Sequence, residues 1–202
     1  MLAPMAVVLT ALLGYLLGSI PVAGLVARSR GIDLRSVGDR NPGYWNAKAT
    51  LGRRAALPVL LGDVAKGAAA AALGRWLGDS WWVGYVAGAA AMVGHAWPVF
   101  ARFRGGRSIL TFAGAMCVLA PVPAASAILA CALVSVATRR FAWGARVGVF
   151  GFPLVQALFE ARARVAAAGA LMSIIGLRFG LAALADRRAG SDDRGTPDPQ
   201  AG

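Results

Sequence analysis

The chain has 202 residues, 58% of them hydrophobic and only 15% charged, well below the roughly one-quarter charged content of soluble domains. Its apolar residues run in long blocks without a strand or surface-helix period, which excludes a soluble domain and defines a polytopic membrane protein. The formal net charge of +12 sits in short loops between those blocks. There cations set topology and meet anionic lipid headgroups, so membrane lipids are expected partners and nucleic acid is not.

The first block, from about Pro4 to Ala27, is long enough to cross ~30 Å of hydrocarbon. The first Lys or Arg is Arg28, so no basic segment precedes the block and a cleaved signal peptide is not expected. Gly14, Gly18 and Ser19 have the spacing of a close helix contact, and Pro21 predicts a kink. A polar loop follows from Arg28 to Arg54, with Val37-Gly38-Asp39-Arg40-Asn41-Pro42-Gly43-Tyr44-Trp45-Asn46 at its centre. Glycines, asparagines and aromatics together suit an interfacial loop with unusual backbone angles.

The second span, about Ala55 to Leu77, contains Asp63 and Lys66 on one helix face. Charge inside a span faces the protein interior or water, so the two form either a structural ion pair or part of a site. The third span, about Trp81 to Phe100, opens on the interfacial anchors Trp81 and Trp82. It closes near His95, the only histidine, and Pro98. The next apolar stretch, Ile109 to Thr138, is long for one span and short for two, and is broken by Pro121 and Pro123. Treating the prolines as a turn puts the loops at 28–54, 102–107 and 139–140 on one side with the C-terminal tail, as the positive-inside rule expects.

The final spans are about Trp143 to Phe159 and Val165 to Leu184, with Arg178 inside the last, expected to snorkel or to pair with Asp63. The expected fold is all-α: about seven transmembrane helices, several short, with an outside N-terminus and a cytoplasmic C-terminus. Residues 1–185 form one membrane domain, and residues 186–202, rich in Gly, Pro, Asp and Arg, form a disordered tail. Cys117 and Cys131 lie in apolar sequence and read as space-fillers.

Between the third and fourth spans, Arg104-Gly105-Gly106-Arg107 places paired glycines between two cations. Such a loop lets backbone N–H groups approach an anion while fixed charge neutralises it. With His95 beside it and the polar 28–54 loop on the same side, the surface suits a small phosphorylated substrate meeting a lipidic one. Hydrolase chemistry is disfavoured, because His95 has no partner histidine for zinc and no G-x-S-x-G elbow is present. No metal or cofactor is expected.

These residues resemble the bacterial membrane family of acyl-phosphate:glycerol-3-phosphate acyltransferases. The likeness begins at Gly18-Ser19-Ile20-Pro21 and Gly31-Ile32-Asp33-Leu34-Arg35. It continues through Gly38-x-x-Asn41-x-Gly43-x-x-Asn46, against the family's G-S-G-N-x-G-A-T-N, and Asp63-x-x-Lys66-Gly67, against D-x-x-K-G. Gly94-His95-x-x-Pro98-x-Phe100 matches G-H-x-x-P-x-F, and Arg104-Gly105-Gly106-Arg107 stands where the family has K-G-G-K. The resemblance implies transfer of an acyl group from acyl phosphate to glycerol 3-phosphate, giving lysophosphatidic acid, at a bacterial plasma membrane. It implies that Arg104, Gly105, Gly106 and Arg107 cradle phosphate. Gly38, Arg40, Asn41, Gly43 and Asn46 shape the adjacent wall, and His95 and Lys66 support or polarise the reacting groups.

The chain departs from the pattern where Asp39 replaces the motif serine, with Arg40 expected to neutralise it. Tyr44-Trp45 replaces Ala-Thr, Ala49 stands in place of an arginine, and the C-terminal H-x-x-N-I-x-R-L is absent. An active enzyme with a reshaped site is therefore set beside a silent homologue that binds a phosphorylated lipid or a membrane partner, with a small-solute transporter as a distant third.

Overall fold

The computed structural model describes residues 2–192, and those residues are helical with no strand among them. The helices are α1 (Leu2–Gly18), α2 (Val22–Arg28), α3 (Tyr44–Leu51), α4 (Arg53–Leu77), α5 (Trp81–Ala96), α6 (Ile109–Leu119), α7 (Pro121–Thr138), α8 (Phe141–Phe159) and α9 (Arg162–Asp192), with a 3-10 turn at Val99–Ala101. Six stretches are long and apolar enough to cross a membrane, α1 and α2 together forming the first; α6 is a shorter apolar helix. Much of the apolar surface faces outward, Leu158 being 80% exposed, as lipid-facing side chains are when the surrounding solvent is itself hydrocarbon.

Pro21 breaks the first span, as its ring and missing N–H require. The Ile20 carbonyl, which would accept from Gly24 in a continuous helix, instead accepts from the Val22 amide at 3.0 Å and from Lys66 Nζ at 3.2 Å. Non-helical backbone of this kind is tolerated at membrane depth only where it lines protein interior. The small-residue stripe packs as its spacing predicts: a Cβ on Gly14 or Gly18 would strike the backbone of Ala87 or Ala91 on α5.

The prolines do mark a turn between two helices. Pro121 starts α7, where its fixed φ suits a first helical residue. At 11 residues, α6 rises only about 16 Å. It reaches the far end of the bundle, where Arg75 Nη1 donates to Val118 O at 3.4 Å, so its start at Ser108 lies well below the opposite face. That opposite face gathers the 29–43 loop, the 97–108 loop, the α7–α8 turn and the end of α9. Arg40 meets Asp186 at 2.8 Å there, and the rings of Trp45 and Phe141 lie 4.3 Å apart. Tyr15 on α1 donates to Trp97 O at 2.9 Å, so α1 ends on the face where α9 ends, and the chain's two described ends lie at opposite faces.

Two features differ from the sequence expectation. The polar loop contains helix α3, set off from α4 by Gly52 at φ +85°. The last helix runs on through Asp186 to Asp192, and the remainder of the tail expected to be disordered lies outside the described residues.

Candidate active site

Three polar side chains from two helices meet beneath the loop-bearing face. Asp63 and Lys66, one turn apart on α4, form an ion pair at 2.8 Å, with side chains only 3% and 5% exposed. His95, in the last turn of α5, brings Nδ1 to 3.4 Å from the same Asp63 oxygen. Asp63 thus flanks the imidazole from one side, with no hydrogen bond from it to that oxygen. The expected pairing of Arg178 with Asp63 is not formed.

The loop after α5 folds back over the histidine. Gly105 N–H donates to Ala96 O at 3.2 Å and Gly106 N–H to His95 O at 3.1 Å. A Cβ on Gly106 would collide with His95 Nε2, and one on Gly105 with the His95 carbonyl. The paired glycines therefore exist for close approach to His95, and their amides are committed within the chain instead of being offered to an anion. From the other side Arg178 on α9 donates from Nη2 to Gly105 O at 2.8 Å and from Nε to Gly106 O at 3.1 Å, its guanidinium over the Trp97 ring at 5.2 Å. Arg102, Phe103 and Ser108 hold left-handed φ values of 55°, 59° and 62°. Each costs about 1–3 kcal/mol, a strain that surrounding structure must over-determine and that clusters at working sites. Ser108 is anchored by donating to Met92 O at 2.8 Å.

Two cavities meet at Asp63 and His95. The first is bordered by Pro21, Arg28, Arg35, Lys66, Pro98 and Arg104, the second by Asn41, Gly43, Tyr44, Arg107, Ser108 and Phe179. Arg104 and Arg107, read from sequence as one cradle, thus diverge into different cavities across the His95 wall. In the first, Arg35 grips Asp33 with Nε at 2.9 Å and Nη2 at 2.9 Å, which holds the Asp33 carboxyl down at about 2. Arg35 is thereby neutralised, and Arg104 and Arg28 remain as cations without a carboxylate within ion-pair distance among the described residues. A wholly apolar groove between α6, α7 and α8 starts at Ile109 and Leu110, which also border the second cavity, and runs past Phe112, Cys131 and Phe152.

Other expected site residues divide. Asn41 and Gly43 border the second cavity. Asn46 does not: it is buried, donating from Nδ2 to Leu34 O at 2.8 Å and Val37 O at 2.9 Å, and so knits the loop together. Gly38, at φ +60°, serves the same purpose, since a Cβ there would strike Asn46 Oδ1. Arg40 turns outward to Asp186, and the cation that meets Asp39 is Arg107, at 3.1 Å. Among the described residues no three His, Cys, Asp or Glu side chains gather as a metal site would need. Arg178 and Ser108 were missed as contributors; the only sequence signal for Arg178 was a lone charge inside a span.

The fold and site define a class: a polytopic helical membrane protein whose recessed, arginine-bordered cavities converge on one buried histidine. This chain belongs to the glycerol-3-phosphate acyltransferase family, whose model matches residues 8–184. It is 44% identical over 148 residues to a glycerol-3-phosphate acyltransferase of Dehalococcoides mccartyi, covering 73% of this chain and 63% of that one. It is 49% identical over 114 residues to that of Rubrobacter xylanophilus, covering 56% and 57%. The match thus spans a little under two-thirds of these relatives' lengths. The fold matches the crystal structure of PlsY, an integral membrane glycerol 3-phosphate acyltransferase, in its glycerol 3-phosphate form with a TM-score of 0.77 and 27% identity, over 85% of this chain and 87% of that one. It matches the lysophosphatidic acid form with a TM-score of 0.74 and 26% identity.

Proposed function

We propose that this protein transfers an acyl group from acyl phosphate to glycerol 3-phosphate, forming lysophosphatidic acid in a bacterial plasma membrane. One observation carries the reading: two cavities, each holding one arginine of the 104–107 loop, meet at a histidine flanked by an aspartate. The reaction needs two phosphate-bearing molecules side by side, and their mutual repulsion requires a separate cation for each. The apolar groove leading from Ile109 and Leu110 supplies a bed for the acyl chain with its carbonyl at His95, the donor's phosphate lying in the first cavity at Arg104 and the acceptor's in the second at Arg107.

In the transfer, the acceptor hydroxyl oxygen bonds to the acyl carbonyl carbon, the carbon–oxygen bond to phosphate breaks, and phosphate leaves with the electron pair and takes up the hydroxyl's proton. The donor is already activated, so holding the partners in line contributes much of the acceleration. His95, common to both cavities and flanked by Asp63, polarises the reacting groups, and the nearby guanidiniums stabilise charge developing on the carbonyl oxygen. Lys66 supports the site through its pairing with Asp63 and Ile20 O. The loop-bearing face is cytoplasmic, because it carries Arg28, Arg30, Arg35, Arg40, Arg104 and Arg107.

Purified protein is expected to turn over acyl phosphate with glycerol 3-phosphate, and Arg104→Ala with Arg107→Ala is expected to abolish it. Failure of turnover with acyl phosphate and with acyl-CoA, alongside retained glycerol 3-phosphate binding, would overturn the reading in favour of a binding role. Cysteine labelling that placed the Arg104 loop outside the cell would overturn the topology.

A further inference from the structure

We propose that Asp39 is a built-in counter-ion that competes with the acceptor's phosphate for Arg107 and so determines how tightly that phosphate is held. This rests on the reading above that Arg107 is a phosphate cation.

The backbone aims Asp39 at this contact. Gly38 and Arg40, on either side, both hold left-handed φ values, +60° and +55°. Asp39 Oδ1 accepts from the Asn41 amide at 3.2 Å, and Oδ2 accepts from Arg107 Nη1 at 3.1 Å. The adjacent cation Arg40 is drawn off to Asp186, so Arg107 is the one cation within ion-pair distance of Asp39 among the described residues. The Arg107 guanidinium is itself fixed from behind by the Phe179 ring at 4.7 Å. The pair stands where the cavity beside His95 meets an outer one bordered by Arg40, Arg178 and Asp186, and Asn41 and Arg107 border both. A phosphate that reaches the histidine through this opening meets Arg107 already paired.

The exchange is feasible because the pair is partly exposed, with side chains 26% and 42% accessible, and exposed pairs are weak. A phosphate dianion offers Arg107 more charge and a bidentate partner. The displaced carboxylate stays nearby, since the turn holds it, and repels the dianion that replaced it. Asp39 therefore lowers affinity twice, by occupying the donor and by repulsion. Asp39→Asn keeps an oxygen for the Asn41 amide and removes the charge, and it is expected to tighten glycerol 3-phosphate binding about two- to five-fold, the factor equivalent to one exposed pair.

The test is calorimetric titration of glycerol 3-phosphate into the full chain in lipid nanodiscs, for wild type, Asp39→Asn, Asp39→Ser and Arg107→Ala. Tighter binding by the Asp39 variants together with weaker binding by Arg107→Ala supports the inference; a merely structural Asp39 could only lose affinity. Weakened Arg107→Ala with unchanged or weakened Asp39 variants overturns the inference and leaves the phosphate reading standing. Unchanged binding by Arg107→Ala overturns the phosphate reading at that residue and the inference with it. Asp39→Ser decides the case if Asp39→Asn fails to fold.

Discussion

Replacing Asp63 by Leu tests whether the centre of the site is an ionic unit. Lys66 would keep only the Ile20 carbonyl at 3.2 Å and lose the carboxylate at 2.8 Å, at a position where its side chain is 5% exposed. Stranding a buried charge by removing its partner costs about 3–5 kcal/mol. For a chain of this size each kcal/mol corresponds to about 2–4 °C, so Tm should fall by about 6–20 °C. Lys66→Met should cost a similar amount, because it strands Asp63. The double substitution Asp63→Leu with Lys66→Met leaves no charge unpaired and should come back to within about 1 kcal/mol of wild type, or exceed it. Thermal unfolding in nanodiscs, followed by tryptophan fluorescence, gives all four values. Single variants costing under about 1 kcal/mol, or a double variant as damaged as the sum of the singles, would refute the ionic account. Turnover should stay low even in the stable double variant, since His95 would have lost the carboxylate that stands 3.4 Å from it.

Gly106→Ala should push the embedded imidazole out of place, because the added methyl collides with His95 Nε2; overpacking should lower stability by about 1–3 kcal/mol, and kcat should fall in the protein that remains folded. Arg178→Lys should not rescue Arg178→Gln in a kcat assay, because a point-charge ammonium cannot both span the carbonyls of Gly105 and Gly106 and stack on Trp97. Pro21→Ala should raise helicity by circular dichroism while lowering activity, since a continuous helix would claim the Ile20 carbonyl that Lys66 uses; unchanged activity would show that this carbonyl is dispensable.

The spans, the turn at Pro121 and the ends that carry the charged loops were legible because each rests on local composition. The meeting of Asp63, Lys66 and His95 was half legible: helical spacing put the first two on one face, and only the packing of α4 on α5 brought in the third. The Gly105-Gly106 pair stands out in the sequence, yet its contacts are hidden there. Paired glycines suit an anion cradle and a tight return equally well, and the return over α5 that uses up their amides is a tertiary event. The same holds for Arg178 and Asp39. Their partners lie 72 and 68 residues away, and nothing in the sequence sets the register of α9 or of the 36–43 turn against the glycine loop. Asn46 was misread because a motif records that a position is constrained without saying whether a ligand or the loop's own carbonyls constrain it.

The shortness of α6 has an energetic meaning for the substrate. Because this helix starts at Ser108, well beneath the loop-bearing face, the proposed reacting centre is sunk from that face toward the level of a lipid's tail. Each methylene withdrawn from hydrocarbon into water costs about 0.8 kcal/mol, so lifting a chain of a dozen methylenes to a surface site would cost about 10 kcal/mol. A sunken floor removes that extraction penalty. On the proposed function, the hydrophilic acceptor does the travelling, descending from water to the acyl group.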